Sequence, residues 1–105
     1  MMREHKYSVN VDPSANDRMI DHVRFLAKVS VPAAERLYTT IETAIASLQD
    51  NPESCPLYTM HGFNDVKLRY KLCGKRYRIV FEIIENDVFI YDIQDCRQDS
   101  DKNLV

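Results

Sequence analysis

The feature that most constrains the fold of this chain is a change in the spacing of its apolar residues near residue 66. Between residues 15 and 48 apolar side chains recur every three or four residues, which is typical of helices with one buried face. After residue 66, apolar and polar residues alternate, as in a strand that is buried on one side. We therefore expect the helices to come early and most of the sheet to come late.

Two helices are predicted in the first half. The first follows residues 12–14, whose side chains can cap a helix, and ends near Val29. The second begins at Pro32, carries a broad apolar stripe over residues 34–48, and is stopped by residues 50–52. Because only about three residues separate the two helices, they are expected to form an antiparallel hairpin.

Four strands are predicted, at residues 7–11, 66–72, 77–84 and 88–93. The last three are joined by short turns and should form an antiparallel meander. The region up to residue 65 that precedes them has no clean period and is expected to be a loop. The prediction is an α+β fold in the order strand-helix-helix-strand-strand-strand, with the helical hairpin packed on one face of the sheet. With 105 residues in all, positions 1–105 are expected to form one domain.

Composition and motifs exclude several classes of function. The three cysteines match neither a zinc-ligand spacing nor a closed disulfide framework, which favours a reducing cytoplasm. No segment is apolar enough for a signal peptide or a membrane span, so no membrane partner is expected. His5, His22 and His61 are scattered and are interpreted as surface or satisfied polar residues. No metal site and no glycine loop for a cofactor phosphate are found, so no cofactor is expected.

Charge is distributed unevenly along the chain. The net charge is −2, but residues 1–65 carry −3, residues 66–78 carry +6 and residues 79–105 carry −5. The central segment holds six cations and no acid: Lys67, Arg69, Lys71, Lys75, Arg76 and Arg78. Such a cluster could bind a polyanion or an acidic peptide.

Alternation of side chains predicts where these cations lie. Lys67, Arg69 and Lys71 should share one face of their strand, and Arg78 on the next strand is expected beside them. A strip that binds anions would explain why like charges are tolerated side by side. The alternative is that these residues form a solvated strand face, since lysine and arginine on an exposed strand prevent aggregation without any ligand. Cys73 beside these cations is expected to be an ordinary buried or idle cysteine, and a mildly acidic thiol is the alternative.

Several segments resemble the RelE/ParE superfamily of bacterial toxins. They are the basic strand at residues 66–72, the Tyr77-Arg78 pair that opens the next strand, residues 93–99 at the end of the last strand, and the end of the helical hairpin at residues 47–52. The resemblance covers nearly the whole chain. It implies the toxin of a type II toxin–antitoxin pair, with a cognate antitoxin protein as its partner.

Two activities are known on this fold, and the resemblance leaves both open. RelE-like members cut mRNA in the ribosome without a metal, and by resemblance the cations of such a site would be Arg69, Lys71, Arg78 and Arg97. Positioned cations suit this chemistry, because the 2′-hydroxyl must be activated and charge on the phosphate must be stabilised. ParE-like members instead inhibit DNA gyrase. The RelE-like late tyrosine has no counterpart here, since no tyrosine follows Tyr91.

The leading hypothesis at this point is RelE-like mRNA cleavage through the basic strip. Arg69 or Lys71 would help to activate the attacking hydroxyl, Arg78 would hold the scissile phosphate, and Arg97 would stabilise the leaving side. The alternatives are a gyrase inhibitor on the same fold and a toxin-like binding module without toxicity.

Overall fold

The structure is a computed structural model that describes residues 6–58 and 67–96. The elements, in chain order, are β1 (Ser8–Val11), α1 (Pro13–Ala27), α2 (Val31–Ser47), a short 3₁₀ helix (Pro52–Ser54), β2 (Leu68–Cys73), β3 (Tyr77–Ile84) and β4 (Asp87–Asp95). This order confirms the predicted α+β fold. The main difference is that β4 is longer than predicted. Val66, the predicted start of β2, lies outside the described residues.

Both helices begin at side chains that satisfy their first backbone amides. The carboxylate of Asp12 accepts a hydrogen bond from the amide of Ser14 at 2.9 Å, and this lowers the pKa of Asp12. The hydroxyl of Ser30 accepts from the amide of Ala33 at 3.2 Å. Each helix also has a proline in its first turn. Amides in this turn have no acceptor within the helix, so the proline loses no helical hydrogen bond there.

The four strands form one sheet in the order β1-β4-β3-β2. Strands β2, β3 and β4 make the predicted antiparallel meander. The first strand joins this meander at its far edge and runs parallel to β4, with Val9 opposite Val88 and Val11 opposite Ile90. The two edges of the sheet are therefore β1 and β2.

The hydrophobic core lies between the helices and one face of the sheet. Its largest fully buried side chains include Ile41 and Leu48 of the helical segment, and Ile79, Phe81, Val88, Ile90 and Ile93 of the sheet. Each such side chain contributes roughly 1.5–3 kcal/mol by leaving water. The helices thus fix one face of the sheet as the inner face.

A β-bulge in β4 keeps the core continuous along this strand. Val80 pairs with Asp92 but the next residue, Phe81, pairs with Ile90, so Tyr91 is an extra residue. Side chains alternate along a strand, so without this insertion Ile90 and Ile93 would face opposite sides. With it, both side chains are fully buried against the helices.

No helix in residues 6–58 and 67–96 is long and apolar enough to cross a membrane.

Candidate functional site

The pairing of β2 with β3 separates the cations that were expected together. Arg69 lies opposite Phe81 and Lys71 lies opposite Ile79, whereas Arg78 lies opposite Leu72. Directly paired residues share a face of the sheet. Arg69 and Lys71 are therefore on the inner face with the core, and Arg78 is on the other face. The prediction that Arg78 lies beside Arg69 and Lys71 was wrong.

The physical reason is that the apolar side of β2 does not face the helices. α2 makes few contacts with β2, so the inner side of this edge strand is left at the margin of the core. Arg69 and Lys71 are each half-buried at this margin, so the protein covers part of both side chains. Alternation alone predicts that a strand has two unlike faces, but it does not say which one meets the helices.

We call the sheet face opposite the helices the outer face. The paired strand residues on it are Ser8 and Asn10 of β1, Leu68, Tyr70 and Leu72 of β2, Arg78, Val80, Glu82 and Ile84 of β3, and Asp87, Phe89, Asp92 and Gln94 of β4. This set contains one cation and three carboxylates. The outer face is thus apolar and mildly acidic, and it is not a basic strip.

Gln94 and Tyr58 both contact Arg78 on the outer face. Its Nε donates a hydrogen bond to Oε1 of Gln94 at 2.8 Å, and its guanidinium lies 5.0 Å from the centre of the Tyr58 ring. The Tyr58 hydroxyl also donates to Gln94 Oε1, at 3.4 Å. Gln94 in turn donates to Asp92 at 3.2 Å, and Arg18 of α1 lies 3.5 Å from the same carboxylate. This network orients Arg78 and ties it to the helical side of the molecule.

Tyr58 reaches this cluster because its segment extends the edge of the sheet. The amide of Tyr58 donates to the carbonyl of Leu68 at 2.6 Å, and the amide of Tyr70 donates to the carbonyl of Pro56 at 3.1 Å. The rings of Tyr58 and Tyr70 then meet edge to face with centroids 6.2 Å apart. The Tyr58 ring thus contacts Arg78 on the β2 side, and the Tyr70 ring in turn packs against Tyr58.

Glu82 and Tyr91 form a second polar pair, further along β3 from Arg78. The Tyr91 hydroxyl donates to Glu82 at 2.6 Å. This hydrogen bond to a carboxylate, together with partial burial, raises the pKa of Tyr91 to about 12. Glu82 is therefore the hydrogen-bond acceptor of the pair.

Arg69 has a structural partner on the inner side. Its guanidinium donates to the carbonyl of Cys55 at 2.7 Å and to that of Glu53 at 3.3 Å. It thereby fixes the 3₁₀ turn that follows α2. The same turn is bound from the other side by Tyr7, whose hydroxyl donates to Glu53.

Lys71 lines a groove between α2 and the edge strand β2. The groove has a volume of about 420 Å³ and is lined by Thr39, Thr40, Thr43, Ala44, Ser47, Lys71 and Cys73. Within the described residues Lys71 has no hydrogen bond or ion pair. Its charge therefore projects to the inner-face margin, on the side of the sheet away from Arg78.

Cys73 is an ordinary buried cysteine. Its side chain is buried, and burial raises the pKa of its thiol to about 11 even though Lys71 acts in the opposite direction. Burial likewise raises the pKa of Cys55. A thiol needs a lowered pKa to act as a nucleophile near neutral pH, so Cys73 is the ordinary buried cysteine that was expected first, and not the alternative acidic thiol.

Of the remaining predicted residues, His22 is satisfied, as expected. Its Nε2 lies 2.8 Å from the carbonyl oxygen of Ile93, and its ring is 5.2 Å from that of Tyr77. His5, His61 and Arg97 lie outside the described residues. Across residues 6–58 and 67–96, no cluster of histidine, cysteine and carboxylate side chains could hold a metal ion.

Sequence reasoning missed Tyr58 and Gln94, which both contact Arg78. Tyr58 falls in a region without a period, and its position depends on long-range pairing with β2. Gln94 carried a weak signal, because an amide within a run of strand residues requires a hydrogen-bond partner once it is buried.

A comparison with protein families agrees with this architecture. The family described as the ParE toxin of the type II toxin–antitoxin system, parDE, matches residues 9–100. The chain belongs to this ParE toxin family. Membership confirms the resemblance to the RelE/ParE superfamily, and it implies an antitoxin as partner. A search of curated proteins finds no match to the chain.

Proposed function

We propose that this ParE-family toxin acts by binding a protein target, DNA gyrase, and not by cutting mRNA. The observation that carries the proposal is the separation of Arg69 and Lys71 from Arg78 by the sheet itself. Metal-free RNA cleavage needs groups that activate the 2′-hydroxyl and groups that stabilise the phosphate within one site. Cations on opposite faces of a sheet do not meet this requirement.

The chemistry of the outer face also supports a protein target. Leu72 and Ile84 are 58% and 45% exposed, and Arg78 lies beside the Tyr58 ring. Aromatic and arginine side chains with apolar neighbours are typical of the energetic centres of protein interfaces. The three carboxylates on this face would repel an RNA backbone. A protein surface can instead pair with both signs of charge.

A third argument comes from the sequence. RelE-like cleavage uses a tyrosine after the last strand, and no tyrosine follows Tyr91 in this chain. The general acid or base that this residue would supply is thus missing from the corresponding stretch. Arg78 keeps a role under our proposal as the central contact of a binding surface.

The proposal is tested by adding the purified toxin to DNA gyrase and following supercoiling of a relaxed plasmid. We expect inhibition by the natural chain and at least a ten-fold loss of potency for Arg78→Ala, because a central interface arginine typically contributes about 2 kcal/mol or more. Arg24→Ala is the matched control. It removes an exposed arginine of α1 on the helical side and should leave inhibition unchanged.

The same samples are incubated with ribosomes engaged on mRNA. Cleavage of message by the natural chain, lost in Arg78→Ala, would overturn the proposal in favour of RelE-like activity. Absence of both activities, together with normal growth when the toxin is expressed without its antitoxin, would favour the non-toxic binding module.

A further inference from the structure

A short segment, residues 53–58, passes around the β2 edge of the sheet and links its two faces. Near its start, two backbone carbonyls accept hydrogen bonds from Arg69, which lies on the inner face. At its end, the ring of Tyr58 lies 5.0 Å from the guanidinium of Arg78, which lies on the outer face. The two arginines are on different strands and opposite faces, so this segment is a physical path by which one can affect the other.

Arg69 restrains the first half of this segment. One terminal nitrogen of its guanidinium, Nη1, donates to the carbonyl oxygen of Cys55 at 2.7 Å and to that of Glu53 at 3.3 Å. Hydrogen bonds from a charged donor are stronger than those between neutral groups. Further along the segment, Leu57 pairs with Arg69 as an isolated antiparallel bridge. The same residue therefore contacts the segment through its side chain and through its place in β2.

The second half of the segment is joined to β2 by a short run of strand pairing. The amide of Tyr70 donates to the carbonyl of Pro56 at 3.1 Å. The amide of Tyr58 donates to the carbonyl of Leu68 at 2.6 Å. Pairing through so few hydrogen bonds has a low local stability. The position of Tyr58 therefore depends on how firmly the preceding residues are anchored.

Tyr58 in turn contacts Arg78 in two ways. Its ring attracts the guanidinium as a cation–π partner. Its hydroxyl donates to Oε1 of Gln94 at 3.4 Å, and the same oxygen accepts from Nε of Arg78 at 2.8 Å. A shift of Tyr58 would weaken both contacts. Arg78 would then be less restrained before binding, which raises the entropic cost of ordering it against a target.

We propose that Arg69 is a positioning residue for the outer face, because it anchors the segment that brings Tyr58 against Arg78. Arg69 itself lies on the inner face and does not touch a target bound to the outer face. The functional part of this inference rests on the proposed binding of gyrase through Arg78. The alternative is that the hydrogen bonds of Arg69 stabilise the fold as a whole, without any specific effect on Arg78.

A test that needs no gyrase is the NMR signal of the Arg78 Nε–H group. The ring current of Tyr58 shifts this signal in the natural chain, and Tyr58→Ala removes that shift. Arg69→Met keeps an apolar side chain of similar length but removes the hydrogen-bond donors. We expect this variant to move the Arg78 signal towards its position in Tyr58→Ala.

Lys71→Met is the matched control. Lys71 is the next inner-face residue of β2 and is also half-buried, but it makes no hydrogen bond or ion pair within the described residues. Its replacement should leave the Arg78 signal unchanged. The proposal is overturned if Arg69→Met leaves this signal in place, or if Lys71→Met moves it equally.

Inhibition of gyrase supercoiling gives the functional test, at a temperature where circular dichroism shows every variant to be folded. Arg69→Met and Tyr58→Ala should each weaken inhibition roughly two- to five-fold, which is the size of an exposed cation–π contact. If Arg69 acts through Tyr58, the double variant should be no weaker than Tyr58→Ala alone. Losses that multiply in the double variant would overturn the proposal, since they would indicate independent effects. If the natural chain does not inhibit gyrase, the proposed function fails, and the NMR comparison alone decides whether Arg69 positions Arg78.

Discussion

Gln94 shows how a single side chain can set the properties of the outer face. It is only 8% exposed, and its oxygen accepts from both Arg78 and Tyr58 while its amide donates to Asp92. Without it, the arginine would lose its Nε acceptor and Asp92 would lose a donor. Gln94 is therefore a positioning residue for Arg78.

Replacement of Gln94 by alanine should destabilise the fold by about 1–3 kcal/mol, because hydrogen-bonding groups that are partly buried lose their partner. The measurement is urea unfolding followed by circular dichroism. Asn16→Ala, which removes an exposed amide from α1, should change stability by less than about 0.5 kcal/mol. Equal stability of the two variants would contradict the positioning role.

The pair of Tyr91 and Glu82 predicts a specific pH dependence. The folded-state pKa of Tyr91 is raised to about 12 from an ordinary value of 10.0, so the folded protein favours the neutral phenol. Its contribution to stability is complete below pH 10 and is lost as the pH rises towards 12. We expect the stability difference between the natural chain and Tyr91→Phe to shrink over this interval.

The comparison is made by urea unfolding at pH 8, 10 and 11. Tyr38→Phe is the control, since Tyr38 is exposed on α2 and makes no hydrogen bond within the described residues. A constant difference between Tyr91→Phe and the natural chain at all three pH values would show that the hydrogen bond to Glu82 does not control this titration.

At the scale of elements, the sequence predicts what each segment is better than how the segments face one another. The stripe of α2 and the caps at Asp12 and Ser30 are local signals, and the corresponding helices are present. The inner or outer direction of β2 depends on its register with β3, which is a long-range property. The bulge at Tyr91 could have been inferred, because Val88, Ile90 and Ile93 are spaced by two and then by three.

The β2–β3 turn depends on glycine. Gly74 has φ of 62°, where a side chain is strained, and an added Cβ would lie 3.6 Å from a methyl carbon of Thr40, an ordinary contact. Gly74→Ala should therefore cost about 1–2 kcal/mol from backbone strain alone. Gly74→Asn should cost clearly less, since asparagine tolerates this conformation. Thermal unfolding of both variants is the measurement, and equal losses would indicate a steric cause.

At the scale of the whole molecule, the net charge of −2 is more informative than the basic cluster in the sequence. The six cations of residues 67–78 are distributed by the fold over the inner margin, the turn and the outer face. Among the paired strand residues of the outer face, Arg78 is the one cation. In the folded protein these cations are therefore separated from one another, and they do not form the basic strip that the sequence suggested.

We accordingly expect the isolated toxin to bind generic RNA more weakly than about 10⁻⁴ M at physiological salt, because few phosphates can be neutralised together. Filter binding with a labelled single strand measures this. Glu82→Lys combined with Asp87→Lys makes the outer face basic and should create salt-dependent binding.

Glu35→Lys combined with Glu42→Lys applies the same charge change to exposed positions of α2 and is the control. Tight RNA binding by the unmodified chain would contradict the expectation. Equal gains in both double variants would show that total charge, and not the outer face, governs RNA binding.

The parallel pairing of β1 with β4 also affects how the toxin is made. Val9 can pair only after Val88 has been synthesised, so β1 joins the sheet late. The hydrophobic core also lacks one of its β4 side chains until Ile93 has been added. Strand pairing between positions so distant in sequence forms slowly. During synthesis a segment can fold only when the segments that it pairs with have also left the ribosome. The toxin therefore completes its native sheet only after β4 has been synthesised, and until then β1 has no partner strand.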